Sequence, residues 1–65
     1  MLGEELSKAR QAKGLSQQDL AAQAGVTREY ISKLENNHAS PTLDTLLSVC
    51  KALGIKASQV IAKIE

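Results

Sequence analysis

Gly25 constrains this chain more than any other residue. It separates two short stretches, one running to Ala24 and one from Arg28 to Asn36. Each stretch has helical spacing of apolar residues. Only glycine takes a positive φ at little cost, so the chain turns sharply here. Ser16 is a good N-cap for the first stretch, and Asp19 three residues on resembles a capping box. Leu20, Ala21 and Ala24 form its apolar face, with two small residues that let a second helix come close. Val26 plugs the turn and Thr27 caps the second stretch. There Ile31 and Leu34 point inward with Tyr30 at their flank, while Arg28, Glu29, Ser32, Lys33 and Asn36 cover the outer side.

The rest of the chain reads as helices packed around this pair. Leu2, Leu6 and Ala9 make a stripe on a helix from about Leu2 to Lys13, stopped by Gly14, after which Leu15 turns back to the core. Asn36 to Pro41 has the composition of a loop. Thr42 caps a helix to Leu53 whose stripe reads Leu43, Leu46, Leu47, Cys50, Leu53 before Gly54. A last helix near Ala57–Ile64 buries Val60, Ile61 and Ile64, and starts weakly because Lys56 is a poor N-cap. The expectation is one all-α domain over residues 1–65, with the paired helices at 17–36. A chain of 65 residues buries only roughly 60% of its unfolded surface. One cysteine allows no intrachain disulfide, so extra stability has to come from tight packing or a partner chain. The lone cysteine and the missing secretory signal point to a reducing, cytoplasmic setting. No apolar run approaches the ~20 residues needed to cross a bilayer, so no membrane role is expected.

The net charge is +1, which is not the strongly basic balance of many nucleic-acid binders. Residues 17–40 carry −1, from Arg28 and Lys33 against Asp19, Glu29 and Glu35. Any interaction with phosphates must therefore come from placement. A helix N-terminus presents free N–H groups and a partial positive charge, and holds phosphate without any lysine. Both helices of the pair start with polar residues after good caps. Two helices in this relation match a DNA-reading helix-turn-helix, where the second enters the major groove. Arg28 can fork onto guanine, Glu29 can accept from cytosine, and Lys33 can reach guanine or phosphate. The plainer reading is a solvated face with a Glu29–Lys33 pair in favourable i, i+4 order. Tyr30 suits a half-buried flank or a hydroxyl on the DNA backbone.

Catalysis and metal binding have no constellation to support them. His38 is a lone loop residue, Cys50 lies on an apolar stripe, and no acid pair sits in an evident pocket. No enzyme activity, metal, cofactor or small-molecule ligand is expected.

Together these residues resemble a known family. Leu15-Ser16-Gln17, Leu20-Ala21, Gly25-Val26, Ile31-Ser32, Leu34-Glu35, Pro41, Leu46-Leu47 and Ala52-Leu53-Gly54 keep the joint spacing of the Cro/CI-type, XRE-like helix-turn-helix family. That family includes phage repressors and small bacterial regulators. The resemblance covers about residues 2–61. It implies a compact five-helix, phage-repressor-like domain that binds double-stranded DNA, usually as a homodimer. It places Thr27, Arg28, Glu29, Ser32 and Lys33 at base-facing and backbone-facing positions. It places Gln17, Asn36 and Asn37 at phosphate contacts, and Arg10 with Glu35 as an interhelical ion pair. The basic residues that the family carries after the recognition helix are replaced here by Asn37-His38-Ala39.

The function expected is a small dimeric repressor or controller reading a pseudo-palindromic operator, its half-sites roughly 34 Å apart. The apolar C-terminal end, Ile55, Val60, Ile61 and Ile64, is the expected dimer surface. The alternative is an antitoxin-like protein-interaction module that keeps the fold with weak or no DNA reading, which the near-neutral charge favours.

Overall fold

The computed structural model describes residues 2–64, with side chains described through residue 60. Its helices are α1 (Leu2–Ala12), α2 (Gln17–Ala24), α3 (Arg28–Glu35), α4 (Leu43–Leu53) and α5 (Ala57–Ile64). The described residues contain no strand. Helices of eight to eleven residues are marginal on their own in water, so packing holds them. α2 packs most extensively, on α4 and on α3, while α1 lies against α3 and α5. Leu6, Leu20, Ala21, Ile31, Leu34, Val49, Cys50 and Val60 meet in the shared core.

The caps follow from the sequence. Asp19 N donates to Ser16 Oγ at 3.0 Å and Ser16 N donates back to Asp19 Oδ2 at 3.2 Å, a complete capping box. Thr27 and Thr42 accept from the N–H groups of Tyr30 and Thr45. Gly25 takes φ 74°, and its N–H and that of Val26 both return to Ala21 O. That is the sharp turn the glycine demanded.

Four details differ from expectation. α1 ends at Ala12, one residue before Lys13, whose N–H still returns to Ala9 O at 3.1 Å and whose Nζ donates to Ala52 O at 2.7 Å, at the end of α4. The carbonyl groups at a helix C-terminus lack partners and attract a cation, which suits that contact.

On α4 the buried residues are Leu46, Val49, Cys50 and Leu53. Leu43 and Leu47 instead face water, 67% and 49% exposed. The spacing i, i+3, i+4, i+7 from Leu46 points one side at the core and leaves the Leu43–Leu47 edge outside it. Burial pushes the Cys50 thiol above its usual pKa range, as suits an inert core residue.

α5 does not start bare. Gln59 Oε1 accepts from Lys56 N at 3.2 Å, supplying half of a capping box. Lastly, Val60 is 3% exposed and belongs to the core, so it is no open dimer surface. Ile55 is half-buried against that core, and the side chains of Ile61 and Ile64 lie outside the described residues.

Gly3 shows a close approach the sequence does not announce. A Cβ there would stand 2.5 Å from the carbonyl oxygens of both Leu34 and Glu35. The start of α1 therefore rests directly on the end of α3, and only glycine fits between them.

Candidate nucleic-acid interface

α3 presents its outer face from a tightly held frame. Glu35, at its last turn, accepts from Arg10 Nε at 2.7 Å and from Arg10 Nη2 at 3.1 Å. The forked geometry is the strong form of this contact. The two side chains are 13% and 7% exposed. Arg10 Nη1 also donates to Leu15 O at 2.8 Å. Gln17 Nε2 donates to Glu35 Oε1 at 3.2 Å. α1, α2 and α3 are thereby joined at one half-buried polar node.

The outer face is arranged differently. Arg28 and Glu29 are 55% and 72% exposed, with Arg28 Nη2 and Glu29 Oε1 4.0 Å apart. Glu29 thus leans toward its neighbour rather than toward Lys33 on the next turn. Among the described residues, Lys33 is exposed and carries no ion pair. Thr27 is exposed at the N-cap and Ser32 is half-buried one turn on. Tyr30 is half-buried and packs against the core, the flank position. In the first turn the N–H groups of Arg28 and Glu29 have no helical carbonyl to meet, and those of Gln17 and Gln18 stand likewise on α2. Both helix starts can therefore hold an anion.

Three residues expected at phosphate are already engaged inside the protein. Gln17 bonds Glu35. Asn36 caps α3 and folds its amide back, Nδ2 donating to Ser32 O at 2.8 Å. Asn37 takes a left-handed φ of 60° and accepts from Gly3 N through Oδ1 at 3.0 Å. The local residue pattern carried no signal for the Gln17–Glu35 and Asn37–Gly3 contacts, whose partners are 18 and 34 positions apart. The structure brings Arg28, Glu29 and Lys33 together on one open face, and draws Gln17, Asn36 and Asn37 toward the frame.

A family model described as helix-turn-helix matches residues 6–65. The chain belongs to this helix-turn-helix family, of the Cro/CI, XRE-like type. The uncharacterized HTH-type transcriptional regulator y4dJ of Sinorhizobium fredii is 31% identical over the whole chain, which spans 84% of it. The biofilm master regulator SinR, solved in complex with DNA, superposes with a TM-score of 0.89 at 31% identity, over 94% of this chain and 98% of that one. The restriction-modification controller protein C.AhdI from Aeromonas hydrophila superposes with a TM-score of 0.88 at 34% identity, over 91% and 89%. Other curated relatives are longer, and the chain spans between 34% and 51% of several of them. In helix-turn-helix order, α2 is the first helix of the pair and α3 the second. The frame at Glu35 holds α3 at its C-terminal end, away from the residues at its tip.

Proposed function

We propose that this helix-turn-helix protein is a sequence-specific, DNA-binding transcriptional regulator that works in the cytoplasm as a homodimeric repressor or controller. The observation that carries the reading is the open face of α3. Arg28, Glu29 and Lys33 stand exposed on a short helix whose far end is locked to α1 and α2. A preorganised helix loses little freedom on entering a groove, and its side chains meet base edges in fixed register. The N-termini of α2 and α3 supply phosphate contacts that bulk charge does not. The likeness to SinR bound to DNA supports the same docking.

With a net charge of +1, one copy on one half-site binds weakly. Two copies on a symmetric operator multiply the contacts, so self-association is part of the mechanism and protein concentration is the control. Selection of bound sequences from a random DNA pool tests this. The expected product is a pseudo-palindrome with half-sites roughly 34 Å apart and an affinity that falls with salt, by about 0.9 in log–log slope per phosphate contacted. No enriched sequence together with a flat salt response overturns it and favours a protein-interaction module.

A further inference from the structure

Leu43 and Leu47 are large hydrophobic side chains left in water, 67% and 49% exposed. They lie one turn apart on α4 and so share an edge. Leu46, Val49, Cys50 and Leu53 fill the core from the same helix. A single exposed leucine needs no explanation, but two side by side on one helix edge form a patch. Charges of opposite sign bracket it. Asp44 lies in the first turn of α4 and Lys51 in the last, both exposed. Seven residues are about two helical turns, so Asp44 and Lys51 project on nearly the same side, next to the leucine edge.

We propose that this edge docks a second copy of the chain, α4 against α4 and antiparallel, about a two-fold axis beside Leu47. The proposal rests on the homodimer inferred above and names its interface. Around such an axis Leu47 lies on the partner's Leu47, and Leu43 lies along the methylene stem of the partner's Lys51. The Asp44 carboxylate then faces that same lysine's ammonium, and the symmetry repeats the contact. A parallel arrangement instead sets Asp44 against the partner's Asp44 and Lys51 against the partner's Lys51, so like charges exclude it. The patch is self-complementary, as a two-fold interface requires. Of the described side chains at the C-terminal end, Val60 on α5 lies in the core and Ile55, just before α5, is half-buried. A seam one eleven-residue helix long falls short of the ~800 Å² per partner of a standard interface. The dimer is therefore reversible, which is what control by concentration needs.

Sedimentation equilibrium on the full chain tests the interface, with circular dichroism verifying that each variant folds. The parent should sediment as a reversible dimer. Leu47→Glu places two carboxylates at the axis and should raise the dimer Kd roughly tenfold or more at unchanged helicity, and Leu43→Glu is the second variant. Asp44→Lys and Lys51→Asp should each weaken self-association by setting like charges across the seam. Mixed together, those two variants pair a lysine with an aspartate at every crossing and should dimerise again. A monomeric parent overturns the proposal, as does parental association by both glutamate variants or a mixture that stays monomeric. If the glutamate variants dimerise like a parent that selects a palindrome, this interface fails and the DNA reading stands. If the parent dimerises through this edge yet selects no DNA, the DNA reading fails alone.

Discussion

The two ends of α3 use charge in opposite ways. At its C-terminal end Glu35 is 7% exposed and gripped by Arg10 at 2.7 Å. At its N-terminal end Glu29 is 72% exposed and stands 4.0 Å from Arg28. The first pair is part of the frame, while the second is barely a pair and remains open to other partners. Formal counting mixes the two and assigns residues 17–36 a charge of −1, from Arg28 and Lys33 against Asp19, Glu29 and Glu35. The surface that a groove would meet differs. Glu35 is neutralised within the node and Asp19 is turned onto the N-cap of α2. Arg28, Glu29 and Lys33 remain outward, two cations against one anion. A near-neutral chain can therefore present a cationic helix tip.

The largest effect should come from breaking the frame. Glu35→Ala leaves the Arg10 guanidinium, 13% exposed, without its carboxylate. Removing one partner of a fully buried pair costs about 3–5 kcal/mol, which is the upper bound for this part-buried one and a large share of the stability of a domain this small. Urea unfolding of Glu35→Ala and of Arg10→Ala should show both strongly destabilised, by about 2 kcal/mol or more. A loss under about 1 kcal/mol would mean the pair acts as a surface bridge, and the two ends of α3 would no longer contrast.

Removing the open charges should do the reverse. Arg28→Ala with Lys33→Ala should unfold within about 0.5 kcal/mol of the parent, since both side chains are exposed. Affinity for the selected operator should fall by about 1–3 kcal/mol if Arg28 holds a guanine by two hydrogen bonds. The salt slope should become shallower by about one for each phosphate the variant no longer holds. Binding equal to the parent's would remove α3 from the role of recognition helix. A matching loss of stability would show that the outer face also holds the fold.

Gln17 sits between the two uses and sharpens the boundary. Its amide donates to Glu35, yet it is the first residue of α2, where a phosphate would dock. Gln17→Ala should lower stability by about 1 kcal/mol for the hydrogen bond it removes from the node. If the side chain also clamps phosphate, operator affinity at fixed salt should fall by a further ~1 kcal/mol while the salt slope holds, because a neutral amide releases no counterion. A changed unfolding midpoint with unchanged operator affinity assigns Gln17 wholly to the frame.

What the sequence made legible was mostly local. Ser16 with Asp19, Thr27, Thr42, Gly25 and Gly54 all announce themselves by residue type within a few positions, and the helices start and stop there. The Arg10–Glu35 pair came only through family resemblance, because no spacing rule joins residues 25 apart. The α4 stripe was legible at Leu46, Cys50 and Leu53 but not at its edge, for a physical reason. Leu43 and Leu47 satisfy helical spacing as well as Leu46 and Val49 do, and only the positions of the packed neighbours decide which edge is buried. Gly3 was silent too. Near a helix start it reads as a weak helix former, and its purpose depends on backbone oxygens that arrive from the end of α3. The open face of α3 was readable because it is polar, whereas the inward turn of Gln17, Asn36 and Asn37 was not. Each of those amides can bond protein or phosphate equally well, and tertiary geometry makes the choice.

The smallest effect, on Glu29, separates attraction from selection. Glu29→Gln removes the negative charge from the outer face while keeping size, and exchanges one acceptor oxygen for an amide donor. Stability should stay within about 0.5 kcal/mol, because the side chain is 72% exposed and its contact with Arg28 is long. Binding to arbitrary DNA should tighten, since a carboxylate near phosphates repels them and its loss frees Arg28. If Glu29 accepts from cytosine N4, the variant should lose preference at that one base pair while gaining general affinity. Binding selections on parent and variant pools, compared position by position, read both changes at once. A variant that gains affinity equally at every sequence assigns Glu29 to tempering the attraction of Arg28 and Lys33. A variant whose preference shifts at one position assigns it to reading.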